Sequence, residues 1–262
     1  MTQIHPSAIV DPKAQLGANV KVGPYSIIGP DVTLGDDCEL LSHVVIEGHT
    51  TIGPRAKIFP FASLGQQPQD LKFHGEDSRL EIGADAMIRE YVTMNTGTEG
   101  GGHLTKVGDK CVALSSVHIG HDCILGDGVI ISSATLLAGH CQIGDHVIFG
   151  GGAAIHQFAR VGRNAFIGGA SAVEGDIIPY GLVVGNRASL LGLNLVGLKR
   201  HQFSRERISG LRAAYADIFT GEGNLRERVA AASVKHASNA DAMEIVNFIQ
   251  SGSERPLCMP SR

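Results

Sequence analysis

The chain has no tryptophan, and aromatic residues fill only 5% of its 262 positions. A core organised around large rings is therefore excluded, and packing must come from aliphatic side chains. Its five cysteines, at 38, 111, 123, 141 and 258, include no CxxC pair and are odd in number. That suits a reducing cytosol rather than a disulfide framework. No run of eighteen apolar residues occurs, so no membrane-spanning helix is expected. The start, MTQIHPSAIVDP, has neither the charge nor the apolar centre of a signal peptide. A net charge of −4 argues against general nucleic-acid binding.

What the chain has instead is a period of six. Ile4, Val10, Leu16, Val22, Ile28, Leu34, Leu40, Ile46, Ile52, Ile58 and Leu64 keep it over eleven positions. In a chain that is 43% hydrophobic, such a run has chance odds of about one in ten thousand, and period six is a β-helix repeat. Ile82, Ile88 and Met94 keep the same phase. After a one-residue shift, a third series runs Val107, Ala113, Ile119, Leu125, Ile131, Leu137, Ile143, Phe149, Ile155, Val161, Ile167, Val173 and Pro179. Three hexads make one triangular coil, so these 27 hexads predict nine coils, stacked to a length of about 43 Å at one strand spacing per coil. Period alone leaves the handedness open: parallel crossovers are normally right-handed, and hexapeptide-repeat proteins are a left-handed exception.

Two segments break the period and are expected to protrude, near 65–81 (GQQPQDLKFHGEDSRL) and 97–106 (GTEGGGHLTK). The second, rich in glycine, reads as flexible. The expected organisation is a repeat domain over 1–190 and a small helical domain over 191–262. In the latter, Ser204 caps a helix carrying Ile208, Leu211, Tyr215, Ile218 and Phe219, further helices cover Leu225–His236 and Asp241–Gln250, and the last residues, Ser251–Arg262, read as frayed. Lys199, Arg200, Arg205, Arg207 and Arg212 oppose only Glu206, a basic run able to hold a diphosphate or an acidic protein.

Residues eighteen apart fall on adjacent coils. His121, Gly139 and Gln157 therefore form one column at an edge, and Asp122 and His140 the next, with His156 nearby. Two chemistries compete for this cluster. One is a zinc site like those of hexapeptide-repeat carbonic anhydrases, for which His118-x-x-His121 is the superficial match. The other is acyl transfer, in which a neutral imidazole accepts a proton and a backbone N–H stabilises the oxyanion. Gly139, with no side chain, fits the second. A non-catalytic scaffold is the remaining reading, and it leaves the histidine edge without purpose.

Over essentially its whole length the chain resembles the UDP-N-acetylglucosamine O-acyltransferases, the acyl carrier protein-dependent family that opens lipid A synthesis. The resemblance rests on SHVVIEGHTTIG, FASLGQQPQDLKFHGE, VHIGHDC, LAGHCQIGDHVIFGG, IHQF and LNLVGLKRHQFSRE. It implies a left-handed parallel β-helix of hexapeptide repeats with a C-terminal helical domain. It also implies a cytoplasmic bacterial homotrimer with active sites between subunits, acting without metal or other cofactor. By the same resemblance, His121 is the general base, Gly139 the oxyanion donor, and Asp122 a neighbour that contacts the sugar or supports the site. Gln69, Asp70 and Lys72 reach the sugar nucleotide or acyl group from an adjacent subunit, and His140, His156 and Gln157 line the cleft. Asn194 and Arg200 match nucleotide and diphosphate contacts, and Gly169 limits acyl length. The implied substrates are an acylated acyl carrier protein and UDP-N-acetylglucosamine. Three positions depart from relatives: His201 follows Lys199-Arg200 where arginine is common, which weakens the second phosphate contact; Val196 stands where some carry an acid; and Asn95 replaces a histidine. The last opens an alternative acceptor, the 3-amino analogue of the sugar nucleotide.

Overall fold

The computed structural model describes residues 1–261. Three sheets form the sides of a triangular prism, with eleven, nine and eight strands, all paired in parallel except the last pair of the first sheet. The chain visits them in turn: Lys21–Val22 on the first, Ile27–Ile28 on the second, Val32–Leu34 on the third. Each strand pairs in register with its counterpart one coil on, as Ile28 opposes Ile46 and Ile131 opposes Phe149. The hexad residues point inward and are almost fully buried from Ile28 to Leu64 and again from Ile119 to Ile167. Burying each such Leu or Ile contributes about 1.5–3 kcal/mol. At the open N-terminal end no coil covers the stack, and Ile4 remains 47% exposed.

The turns explain the polar half of the repeat. In most turns one residue takes a left-handed conformation, including Asp122 at φ 60° and His140 at φ 62°, a geometry that Asp, Asn and His adopt more readily than most side chains.

The two excursions leave the prism without breaking its register. Ile52 opposes Ile82, thirty positions on, and Ile82 opposes Val107, twenty-five on. The undisturbed repeat is eighteen. The last coil departs from the expected phase. Val161 bridges Ile177 and Ile167 opposes Val183, both sixteen on. Pro179 is therefore not the inward residue of a final hexad. It packs instead against Gly162, where a Cβ would overlap the proline ring.

After this coil the chain turns back as an antiparallel pair, Gly181–Val184 with Ser189–Leu193, so strand extends to Leu193, past the expected domain boundary at 190. Four helices follow: α1 (Leu195–Arg200), α2 (Arg205–Phe219), α3 (Leu225–Lys235) and α4 (Ala240–Gln250). Side chains of Ser204, Asn224 and Asn239 cap the last three. Leu211, Ile218, Val229, Ile245 and Val246 are buried between them. The helices dock on the prism through Arg163, which pairs with Glu244 at 2.7 Å and donates to the buried Tyr180 hydroxyl at 2.6 Å.

The tail is not frayed as expected. Asp176 N donates to Pro256 O at 2.8 Å, Cys258 N to Asp176 O at 2.8 Å, and Leu190 N to Met259 O at 3.0 Å. The C-terminal segment adds a strand-like strap to the exposed end of the sheets, satisfying backbone groups that the end of a β-helix leaves open. All five cysteines are buried and unpaired.

Candidate active site

Asp122 is the anchor of the edge. Its side chain is only 1% exposed, and a buried carboxylate needs donors around it. It has them. Thr98 gives its backbone N–H to Oδ1 at 2.8 Å and its hydroxyl to Oδ2 at 2.6 Å. His121 Nδ1 lies 2.8 Å from Oδ2, and Asp122 N donates to Thr105 Oγ1 at 2.8 Å. Burial pushes the Asp122 carboxyl up, but the bonds from His121 and Thr98 outweigh it and hold the group below the ordinary carboxylate range.

The glycine-rich excursion is thus pinned rather than flexible. It curls back so that Gly97 packs against the Leu104 amide and Gly101 against the Asp122 side chain, where any Cβ would overlap. Thr98 is 5% exposed. Gly97 and Gly101 serve close approach, not mobility.

With Nδ1 turned to Asp122, His121 presents Nε2 toward Gly139. A Cβ on residue 139 would lie 2.7 Å from that nitrogen. The backbone completes the arrangement. On another edge of the prism, aspartates one coil on cap the turn amides: Ala84 N to Asp109 at 2.8 Å, Asp109 N to Asp127 at 2.8 Å, Asp127 N to Asp145 at 2.9 Å. The corresponding cap for His121 N would come from residue 139, which has no side chain. Among the described residues, neither His121 N–H nor Gly139 N–H has an acceptor.

His140 completes the group. Its ring meets His121 edge-on at 4.9 Å and stacks on Phe158 at 4.4 Å, nearly parallel. Burial lowers its basicity, opposed by the charges of Asp122, Asp70 and Glu254. His156 stands one column away, its Nδ1 3.2 Å from the carbonyl of its neighbour Gln157, so the structure clusters two of the three histidines rather than all three. His118 does not pair with His121 as a zinc motif would. It faces outward from the second sheet and its Nδ1 bonds Thr93 Oγ1 at 2.8 Å.

The remaining expected residues divide clearly. Gln69, Asp70 and Lys72 sit on the first excursion, with Gln69 and Lys72 exposed and Lys72 N bonded to Asp70 Oδ1 at 2.9 Å. Arg200 is exposed and unpaired among the described residues. His201 rests beside His146 at 4.8 Å, Val196 is exposed, and Gly169 is exposed at a turn. Two others are occupied within the fold. Asn194 caps α1, donating to Asn164 O at 2.9 Å and accepting from Gly197 N at 3.0 Å. Asn95 is buried, with its amide nitrogen on Gln67 O at 2.9 Å and its Oδ1 unpartnered. Of the basic run, Arg207 is also committed, bidentate to Asp241 at 2.8 Å and lying over the Phe203 ring.

Thr98, Thr105 and Phe158 were missed in the sequence. Phase arithmetic reaches Phe158, eighteen residues after His140, but it cannot reach Thr98, which lies on an excursion outside the repeat.

An imidazole oriented by a buried acid and set beside free amides is equipped for acyl transfer, and its support is a hexad-repeat prism; together they define a hexapeptide-repeat acyltransferase. Residues 13–48 match the bacterial transferase hexapeptide model, and residues 176–258 match the second-domain model of UDP-N-acetylglucosamine O-acyltransferase. An acyl-[acyl-carrier-protein]--UDP-N-acetylglucosamine O-acyltransferase of Rickettsia bellii is 56% identical over 98% of this chain and 92% of its own length. One from Caulobacter vibrioides is 52% identical over 99% and 98%. The solved LpxA structure from Acinetobacter baumannii superposes with a TM-score of 0.93 at 41% identity, covering 97% of this chain and 98% of that one. The chain belongs to the UDP-N-acetylglucosamine O-acyltransferase family, and its prism is the family's left-handed β-helix.

Proposed function

We propose that this chain transfers an (R)-3-hydroxyacyl group from acyl carrier protein to the 3-position of UDP-N-acetylglucosamine, the first step of lipid A synthesis. The observation that carries the reading is the Asp122–His121–Gly139 arrangement. His121 Nε2 takes the proton of the sugar hydroxyl as its oxygen attacks the thioester carbonyl. The Gly139 N–H donates to the oxyanion of the tetrahedral intermediate. Collapse breaks the carbon–sulfur bond, and the thiolate of the carrier takes the proton back from His121. Asp122 holds the Nδ1–H tautomer and stabilises the imidazolium between the two transfers.

The acyl chain has a matching surface. His121 and Gly169 border the same face of the prism, on its two edges. Outward along that face, Leu136, Ala154 and Ala172 stand on successive coils, an apolar strip. In a single chain Leu136 is 50% exposed. A second copy laid against this face converts the strip into a tunnel, which supports a homotrimer with sites between subunits and gives Gln69, Asp70 and Lys72 a neighbouring site to reach. No helix among the described residues is long and apolar enough to cross a membrane, and the five free cysteines suit the cytoplasm.

The test is turnover of UDP-N-acetylglucosamine with (R)-3-hydroxyacyl carrier proteins, identified by product mass. His121→Ala should lower turnover roughly 10²–10⁴-fold with the oligomer intact. Near-normal activity in that variant removes His121 from the mechanism.

A further inference from the structure

The C-terminal strap brings a residue to the site that the hexad pattern cannot place there. Arg255 is partly buried, and its Nε donates to Gln157 O at 2.9 Å. That is the same carbonyl that His156 Nδ1 approaches at 3.2 Å. Gln157 follows Gly139 in its column, and the next residue, Phe158, stacks on His140. The strap is firmly tied down. Ser253 Oγ donates to Asp176 Oδ2 at 2.7 Å and accepts from Arg255 N at 3.0 Å, tying the backbone of Arg255 to the end of the prism. Asp176 is itself fixed by Arg160 and by two backbone bonds to the strap.

The guanidinium is therefore oriented but not consumed. Among the described residues it makes no ion pair, and its two terminal nitrogens have no partner. An arginine held by one nitrogen with its outer edge free is preorganised for an oxyanion, because little side-chain freedom is left to lose on binding. Arg207 makes the contrast, with its guanidinium spent on Asp241.

We propose that Arg255 is a substrate-contacting residue of the acyltransferase site, binding a phosphate group beyond Gln157. This deepens the functional reading above and rests on it. Both substrates of that reading carry the chemistry: the sugar nucleotide a diphosphate, the carrier a phosphodiester on its prosthetic arm. A phosphate with a bidentate arginine is the expected pairing.

The experiment compares wild type, Arg255→Gln and Arg255→Lys, each titrated separately with UDP-N-acetylglucosamine and with acyl carrier protein, alongside melting temperature and kcat. Arg255→Gln should raise one KM by roughly ten- to a hundredfold with kcat within about threefold, the size of one lost charge-assisted bond. Arg255→Lys should recover part of the loss. A rise confined to the nucleotide assigns the diphosphate, and a rise confined to the carrier assigns its phosphodiester. Unchanged KM values for both overturn the proposal, as does a lowered melting temperature and kcat with no change in KM, which would make Arg255 only a clasp for the strap. Should Arg255→Gln not fold, the KM values of Arg255→Lys decide in the same way. A wild type that does not turn over these substrates fails the functional reading itself, whereas an active wild type with an indifferent Arg255→Gln fails only the assignment of Arg255.

Discussion

The His121 ring lies against Gly139 so closely that a Cβ on residue 139 would sit 2.6 Å from Cε1 and 2.7 Å from Nε2. The glycine therefore does two things at once: it leaves room for the imidazole and it leaves its own amide open. Gly139→Ala should displace the ring away from the edge while leaving the stacked aliphatic core untouched. Misplacing a reacting group by about an ångström costs on the order of a hundredfold. Expected is a fall in kcat of that order with an unchanged melting temperature; wild-type kcat in the variant would mean that Gly139 is a packing residue only.

Asp122 ties chemistry to acid stability. Its carboxyl is held below the ordinary range in the fold, so its contribution to stability is present above the unfolded value near 3.9 and is lost as pH falls through the folded one. His118 and His140 act in a higher window. Burial lowers both, so folding favours their neutral forms, and stability declines as pH drops below about 6.5. Asp122→Asn should flatten the acid limb of a stability-versus-pH curve, deepen the histidine limb because the charge that opposes burial at His140 is gone, and lower kcat roughly 10²-fold or more by releasing the His121 tautomer. An unchanged acid limb would show that the carboxylate is not the group being titrated.

Much of this was legible because a repeat turns sequence distance into spatial distance. Eighteen residues separate His121 from Gly139 and Asp122 from His140, and the structure puts each pair on adjacent coils. Arithmetic fails where the chain leaves the repeat. Thr98 reaches Asp122 from an excursion whose path six-residue spacing does not encode. The last coil loses two residues at Ile177, so Pro179 slipped out of phase. The strap at 251–261 has no apolar periodicity, and its order comes from hydrogen bonds to Asp176 that only the folded end of the prism creates. Asn194 and Arg207 look like free polar groups in sequence, yet helix capping and the Asp241 pair occupy them.

Gly169 offers a test of acyl length. A Cβ there would meet Gly151 O at 3.3 Å and nothing closer, a tight contact that a side chain fits only if the Gly151 turn gives by a few tenths of an ångström. Each methylene of an acyl tail buried beside it contributes about 0.8 kcal/mol. The wild type should therefore prefer chains of about twelve carbons or more, and Gly169→Met should shift the preference toward about ten. An unchanged chain-length profile, read from product masses with mixed acyl carrier proteins, places the ruler elsewhere.

The basic run divides by what holds each member. Reversing Arg207 breaks its pair with Asp241 and should lower the melting temperature. Arg205, exposed and unpaired among the described residues, is free to attract an acidic carrier through screened long-range charge. Arg205→Glu should raise the KM for acyl carrier protein more than that for the nucleotide, most clearly at low salt. Equal changes in both KM values, or none, would make the residue an ordinary solvated charge.

Asn95 bears on the acceptor. Its side-chain nitrogen is taken by the carbonyls of Gln66 and Gln67 at 3.3 and 2.9 Å, while Oδ1 is buried with no partner. A buried oxygen without a donor is costly, and the group left available is an acceptor only. An imidazole at this position could be charged or could donate; the amide as placed cannot do either with its free atom. An alcohol at the 3-position has one hydrogen to share between this acceptor and His121, whereas a neutral amine can give one to each. Both UDP-N-acetylglucosamine and its 3-amino-3-deoxy analogue should therefore be turned over, the second giving an amide. Asn95→His should lower the analogue's kcat/KM relative to that of the alcohol. The assay is a side-by-side comparison of the two acceptors at equal acyl carrier protein concentration. Efficient esterification with no reaction of the analogue would restrict Asn95 to holding the excursion through its two carbonyl bonds.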